Sequence, residues 1–285
     1  MSLGLALAGG GLKGVAYIGA LKALEELNVK IDYLSATSSG SLIATMYALG
    51  YNFEEMKSRI AEYSRVLTRI NAGPILKAGA SFAATGVAKI EGLIPGENIE
   101  EIVNQMGREK GVENISDLKI PFAVPTADMI STKECIFLSR KYDFKNDDIE
   151  YIYDVTLGKA IRASMSFPGI FTPCSFEKYN FVDGGTKDNL PVQILKDMGA
   201  EKVLALSFKM DEYEPKENLM SILLRVCDIF SLKNVKEAQM KSDFYIEFDT
   251  AGSSLLSTDN MDKCYKIGYD TIMKNKENIL KMLEE

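Results

Sequence analysis

Residues 31–41, IDYLSATSSGS, decide how this chain is read. Ile31 to Ser35 make a short apolar run that predicts a strand, and LIATMYAL, from Leu42 to Leu49, predicts a helix. Only Ala36, Thr37, Ser38, Ser39 and Gly40 lie between them, all small. A strand that turns at once into a helix over small residues has the geometry of a nucleophile elbow. It lifts one side chain above the sheet edge and aims the following backbone N–H groups at whatever that side chain attacks. Ser38, at the centre of A-x-S-x-G, is the candidate nucleophile, with Ala36 where the usual pattern has Gly. The same residues also fit a plain Ser/Gly cap between strand and helix. The partners of Ser38 must decide.

Upstream, an apolar strand is expected over 2–8, followed at once by Gly9-Gly10-Gly11-Leu12-Lys13-Gly14. A helix over 13–27 carries Val15, Ile18, Leu21, Leu24 and Leu27 as its apolar stripe. Strand, glycine loop, helix, strand, elbow, helix implies parallel strands joined by crossover helices, hence an α/β layered fold. The loop also matches G-x-G-x-x-G, the dinucleotide fingerprint, and Asp32 stands 18 residues after Gly14, near the place of a ribose-binding acid. Against this, Asp32 falls at the start of its strand, whereas a ribose acid stands at the carboxyl end. Three consecutive glycines also exceed what a pyrophosphate turn needs. They suit an oxyanion hole, where backbone N–H groups approach a tetrahedral oxygen unobstructed by side chains, or simply a tight turn.

Composition narrows the chemistry. A 285-residue chain with 46% hydrophobic residues and a mean hydropathy of -0.04 suits one or two globular domains with a sizeable core. The net charge of -7 argues against a general nucleic-acid or anionic-membrane binder, while leaving room for a local basic patch. No apolar run reaches the roughly 18 residues of a membrane span, and MSLGLALAGGG lacks the basic start of a signal peptide, so a cytoplasmic protein is expected. Cys135, Cys174, Cys227 and Cys264 lie far apart without metal-ligand spacing and read as reduced, mostly buried thiols. The chain contains no histidine. No Ser-His-Asp triad and no His-ligated metal can be built from it. If Ser38 is a nucleophile, a carboxylate, Lys, Tyr or water must take its proton.

Downstream, an amphipathic helix over 54–68 leads into a small, apolar segment with scattered Lys and Arg, then a helix over 98–106. Strands are expected over 120–127, 134–138, 171–176, 179–182, 202–208 and 244–248, and helices over 154–163, 191–198, 219–236 and 261–283. The organisation expected is one domain, 1–285, with a cap inserted around 53–115. Asp183 follows the apolar pair Phe181-Val182 and precedes Gly184-Gly185, an acid at a strand's end beside an open loop. Asp-Gly is also a common turn signal. Asp128 is a second strand-end acid, ranked below Asp183. Asn189 and Pro191 read as the cap and first turn of the following helix. The run from Arg162 to Pro173, RASMSFPGIFTP, reads as a rigid connector with Phe167 and Phe171 buried.

These blocks together resemble a bacterial member of the patatin-like phospholipase family. The likeness rests on Gly9–Gly14, on Ala36 to Ser41, on Ala163-Ser164 with Pro168 and Phe171, and on Asp183-Gly184-Gly185 with Asn189-Leu190-Pro191. They stand in the family's order across about residues 2–207. The resemblance implies a three-layer α/β/α sandwich with a mostly parallel central sheet, and a Ser–Asp dyad that needs no histidine. It implies Ser38 as nucleophile, Asp183 as proton acceptor and Gly9, Gly10 and Gly11 as oxyanion hole, supported by Leu12, Lys13, Gly14, Ala36, Gly40, Gly184 and Gly185. The activity implied is hydrolysis of carboxylic esters of lipids through an acyl-enzyme, with no metal or organic cofactor. Residues 71–89, which mix Ile75, Leu76, Phe82 and Val87 with Lys77 and Lys89, are expected at the lipid entrance as a peripheral membrane contact. A nucleotide-binding module built on Gly9–Gly14 and a catalytically silent lipid-binding relative are the alternatives.

Overall fold

The computed structural model describes residues 1–68, 92–210, 219–250 and 260–284; the expected lipid entrance at 71–89 lies outside them. The chain opens with β1 (Leu3–Leu7), a 3-10 turn over Gly11–Gly14 and α1 (Val15–Glu26). The elbow follows as β2 (Tyr33–Ala36) and α2 (Ser39–Ala48), then α3 (Phe53–Thr68), β3 (Gly92–Ile94) and α4 (Glu97–Glu109). Next come β4 (Phe122–Asp128), β5 (Glu134–Leu138), β6 (Ile149–Ile152), α5 (Leu157–Ser164), β7 (Gly169–Phe171), β8 (Cys174–Phe176) and β9 (Tyr179–Asp183). The last part holds α6 (Val192–Asp197), β10 (Lys202–Phe208), α7 (Leu219–Lys241), β11 (Phe244–Phe248), α8 (Met261–Lys274) and α9 (Lys276–Glu284).

The central sheet runs β11-β10-β1-β2-β4-β5-β6, and the first five of these strands are mutually parallel. Strand β1 shows why helices cover both faces. Leu3, Leu5 and Leu7 point into the cluster formed with α1, α2, α3 and α8, while Ala6 and Ala8 pack against Leu190, Val192 and Leu195 around α6. The sandwich is thus built from a strand with large residues on one face and small ones on the other. Helix α8 crosses α1 closely. A Cβ on Gly268 would collide with the backbone carbonyl of Ala16, which has no rotamer to retreat into. Gly268→Ala is therefore expected to cost about 1–3 kcal/mol of stability, read as a lower urea midpoint at unchanged m-value.

Strand β9 places the site. The first residues of β4 pair with β2 (Leu34 with Phe122, Ser35 with Ala123), and its last residues pair with β9 (Thr126 with Asp183, Asp128 with Phe181). Strand β9 therefore occupies the lane that β2 vacates when the chain turns at Ser38. It runs antiparallel to β4, so its final residue, Asp183, meets the end of β2 head-on. Asp183 and the elbow confront each other because they share one lane of the sheet.

Several elements differ from expectation. The strand expected over 171–176 is two, β7 and β8, parted at Thr172-Pro173; Pro173 has no N–H for a ladder, and Thr172 N–H turns aside to the Ile94 carbonyl at 3.1 Å. The terminal helix breaks at Asn275, whose N–H is shared between the Thr271 and Ile272 carbonyls, the tightening that ends a helix. Strands β3 and β6 carry too few residues to stand out as periodic runs. Cys135, Cys174 and Cys264 are buried free thiols; burial pushes Cys135 up to about 12 and Cys174 up to about 11. The Cys227 side chain lies outside the described residues.

Candidate active site

Ser38 sits between β2 and α2 at φ 52° and ψ -127°, a conformation costly for a residue with a Cβ. The backbone around it is held from several sides. Thr37 N–H bonds the Leu7 carbonyl at 3.1 Å, and Gly40 N–H returns to the Thr37 carbonyl at 2.9 Å. A Cβ on Gly40 would lie 2.7 Å from the Ala8 carbonyl, so this glycine lets α2 start against β1. Ala36 is fully buried in β2, and the elbow forms with Ala in that place.

The Ser38 hydroxyl donates to Asp183 Oδ2 at 2.6 Å, and Asp183 Oδ1 accepts the Gly185 N–H at 2.8 Å. Burial pushes the Asp183 carboxyl up to about 6; the Ser38 hydroxyl and the Gly185 N–H pull it back down. At neutral pH the group is mostly ionised, and an ionised carboxylate is what a serine proton needs. Two consequences follow. Activity that requires the carboxylate is expected above pH 6 and lost as pH falls through about 6, measured as kcat/KM on a soluble ester. Because the folded-state value exceeds the unfolded one, the fold is most stable when Asp183 is protonated, and that contribution fades as pH rises through about 6. Asp183→Asn should therefore raise the unfolding free energy at pH 7, by on the order of 1–3 kcal/mol.

The other strand-end acids are occupied. Asp128 accepts from Ser131 N–H, the Ser131 hydroxyl and Asn180 N–H at 2.8, 2.6 and 2.9 Å, closing the β4–β5 turn. Asp32 accepts from Leu3 N–H at 3.0 Å and from Lys30 at 2.5 Å, at the amino end of β1. The glycine loop leaves the opposite end, so the residue that would hold a ribose is the length of a strand away from it.

The loop's three glycines differ in role. Gly9 N–H is committed to Asn189, bonding its Oδ1 at 3.2 Å and its carbonyl at 3.3 Å. Gly10 N–H donates to Ser39 Oγ at 3.1 Å. Gly11 has φ 59°, which glycine tolerates and an L side chain does not, and its N–H opens the 3-10 turn, where no acceptor exists within the turn. Leu12, Lys13 and Gly14 of that turn are buried. Asn189 is a correction: the helix cap is Pro191, whose carbonyl takes the Ser35 hydroxyl at 2.6 Å, while Asn189 fixes the glycine loop.

The end of α5 and the connector after it are part of the site as well. Ser164 Oγ accepts the Ser38 N–H at 2.9 Å and donates to the Pro125 carbonyl at 2.7 Å, and the Ser166 carbonyl holds Asp183 N–H at 3.0 Å. One stretch thus clamps both members of the Ser38–Asp183 pair. Gly184 presses on the Pro125 carbonyl, where a Cβ would not fit. Met165, Phe167, Ile170 and Phe171, with Leu42, Ile43, Ile60 and Tyr63, line an apolar cleft of about 1040 Å³, counting its open mouth. Ser38, Asp183 and the glycine loop line the same cleft. Tyr63 belongs to no motif, and Ser39, Ser164 and Asn189 fall within the quoted blocks, but only packing reveals what each of them does.

A family model described as patatin-like phospholipase matches residues 5–196. The chain belongs to that family. Human patatin-like phospholipase domain-containing protein 6 is 28% identical over 207 residues, covering 72% of this chain and 13% of the relative. Lysophospholipase NTE1 of Mycosarcoma maydis is 27% identical over 296 residues, covering 94% of this chain and 14% of the relative. This patatin-like chain thus spans only a small part of those proteins. Among solved structures, VipD from Legionella pneumophila superposes with a TM-score of 0.51 at 13% identity, over 96% of this chain and 66% of that one, a likeness of fold.

Proposed function

We propose that this chain is a serine acyl hydrolase that cleaves carboxylic ester bonds of lipids, with Ser38 as nucleophile and Asp183 as its base. The observation that carries the reading is the 2.6 Å bond from the Ser38 hydroxyl to a buried carboxylate, made at a strained elbow in a chain without histidine. Family membership and the apolar walls of the cleft support a lipid ester as the substrate class.

In the proposed reaction the Ser38 Oγ attacks the acyl carbon as its proton passes to Asp183. The tetrahedral oxygen takes N–H bonds from the glycine loop. With Gly9 N–H held by Asn189, its contribution is the absence of a side chain beside Ser38; Gly11 N–H, and Gly10 N–H once it leaves Ser39 Oγ, are the donors that remain. The Ser39 N–H, just after the nucleophile, is the usual complement to such a loop. Collapse expels the alcohol, which recovers the proton from Asp183. Water then repeats the sequence on the acyl-enzyme and releases the fatty acid.

A panel of lipid esters with released fatty acid as readout tests the reading. Turnover of a mono- or diacyl lipid that disappears in Ser38→Ala supports it. Tight binding of a dinucleotide with no ester turnover would support the Gly9–Gly14 alternative.

A further inference from the structure

We propose that the carboxyl edge of the sheet docks flat on a lipid surface, through the overhanging first half of α7 and the tip of the β4–β5 hairpin. The choice of a lipid occupant rests on the function proposed above; the placement rests on geometry alone.

Helix α7 is too long for the layer it spans. Its 23 residues rise about 34 Å, whereas the seven residues of its neighbour β10 cover only about 20 Å. The excess lies at one end. The chain leaves α7 at the amino edge, where Asp243 N–H bonds the Val203 carbonyl at 3.0 Å and β11 begins parallel to β10. Ser231 lines the cleft, and Asn234 donates to the Lys187 carbonyl beside it, so these residues mark the level of Ser38. The turns before Ser231 therefore stand beyond the cleft by up to about 13 Å, counted from Ile222.

Among the described side chains of those turns, the exposed ones are apolar. Ile222, Val226, Ile229 and Phe230 lie at i, i+4, i+7 and i+8 on one face, exposed by 47%, 38%, 56% and 65%. The same face continues with Lys233 and Lys236, both exposed. Apolar groups at the outer end with lysines one turn behind are the arrangement of a helix that inserts its tip among lipid chains while ammonium groups meet phosphates. On the other side of the site, Met129 and Ile130 follow the carboxyl end of β4 and are exposed by 53% and 69%. Lys178 is exposed on the adjacent β8–β9 turn, two residues before Asn180, whose carbonyl accepts the Met129 N–H at 2.9 Å. Strands β1 and β2, which deliver the glycine loop and Ser38, lie between β10 and β4 in the sheet. A plane resting on both protrusions thus lies across the mouth of the cleft. Among the described residues no helix is long and apolar enough to cross a membrane.

The test uses Ser38→Ala protein, which leaves the lipid intact and keeps the result independent of turnover. Vesicles of phosphatidylcholine with one-fifth phosphatidylglycerol are sedimented with the protein. The parent is expected to bind, and Ile229→Asp with Phe230→Asp, or Met129→Asp with Ile130→Asp, to lower the bound fraction at least tenfold. With Ser38 present, the same pairs should leave hydrolysis of a short soluble ester unchanged. The chain has no Trp, so Phe230→Trp and Ile130→Trp each give a single reporter, whose emission should shift to the blue on adding vesicles. Equal vesicle binding by parent and both pairs, or no blue shift at either position, overturns the proposal. So does a concentration-dependent dimer in sedimentation velocity that Ile229→Asp with Phe230→Asp disperses, because the face would then be an interface between copies.

Discussion

Replacing Asp183 with Asn is expected to lower kcat on a lipid ester by about 10²–10⁴-fold, while the protein stays folded. The size follows from what the residue does. A serine hydroxyl attacks poorly until its proton has somewhere to go, and this chain holds no imidazole. The only carboxylate bonded to Ser38 among the described residues is Asp183, at 2.6 Å. Asn keeps the shape and an oxygen for the Ser38 proton to face, yet that oxygen cannot take the proton away. Ser38→Ala should cost about as much, and the double variant little more than either, because the two groups act as a unit. Asp128→Asn serves as the control; its oxygens are spent on Ser131 and Asn180, so it should alter stability more than turnover. A folded Asp183→Asn protein that keeps most of its activity would send the search for a base elsewhere. The same substitution should stabilise the fold at neutral pH, since it removes a buried charge, and loss of activity with gain of stability is the signature of a functional acid.

Ala in place of Gly10 or Gly11 is expected to reduce kcat by about 10²–10³-fold with little change in KM. The two fail for different reasons. At Gly11 the backbone has φ 59°, and a side chain there strains the turn and rotates the peptide plane that presents the N–H. Gly10 has φ -177°, which any residue adopts, but its Cβ would overlap the ring of Phe208. Phe208 cannot easily yield, because it ends β10 packed on Tyr17 with ring centroids 4.9 Å apart. Tyr17 in turn donates to the Ala8 carbonyl at 2.8 Å, fixing the strand end from which the loop departs. A donor misplaced by such a shift weakens the bond to the transition-state oxygen more than it weakens substrate binding. Loss of nucleotide affinity with ester turnover intact would instead revive the dinucleotide reading.

How far a sequence exposes such a site depends on whether the needed residues are contiguous. The elbow could be read because strand, turn and helix follow one another within residues 31–49, and the glycine loop for the same reason. Asp183 could be noticed as an acid at a strand's end in a chain without histidine, but its role as proton acceptor came from the family resemblance. What stayed hidden acts across the fold. Ser164 supports Ser38 from 126 positions away, and Asn189 holds Gly9 from 180 positions away. Each looked like a piece of local structure, a connector serine and a helix cap. Their roles come from β9 taking over the lane of β2, a pairing that no periodicity encodes. The break at Thr172-Pro173 was signalled by the proline and could have been read there.

The most direct test of the account is the site and rate of labelling by a fluorophosphonate, mapped by peptide mass spectrometry on the folded protein. The account predicts modification at Ser38 alone, slowed by orders of magnitude in Asp183→Asn and falling with pH through about 6. Modification at Ser39, Ser41 or Ser164, or labelling of Ser38 at the same rate without the Asp183 carboxylate, would contradict it.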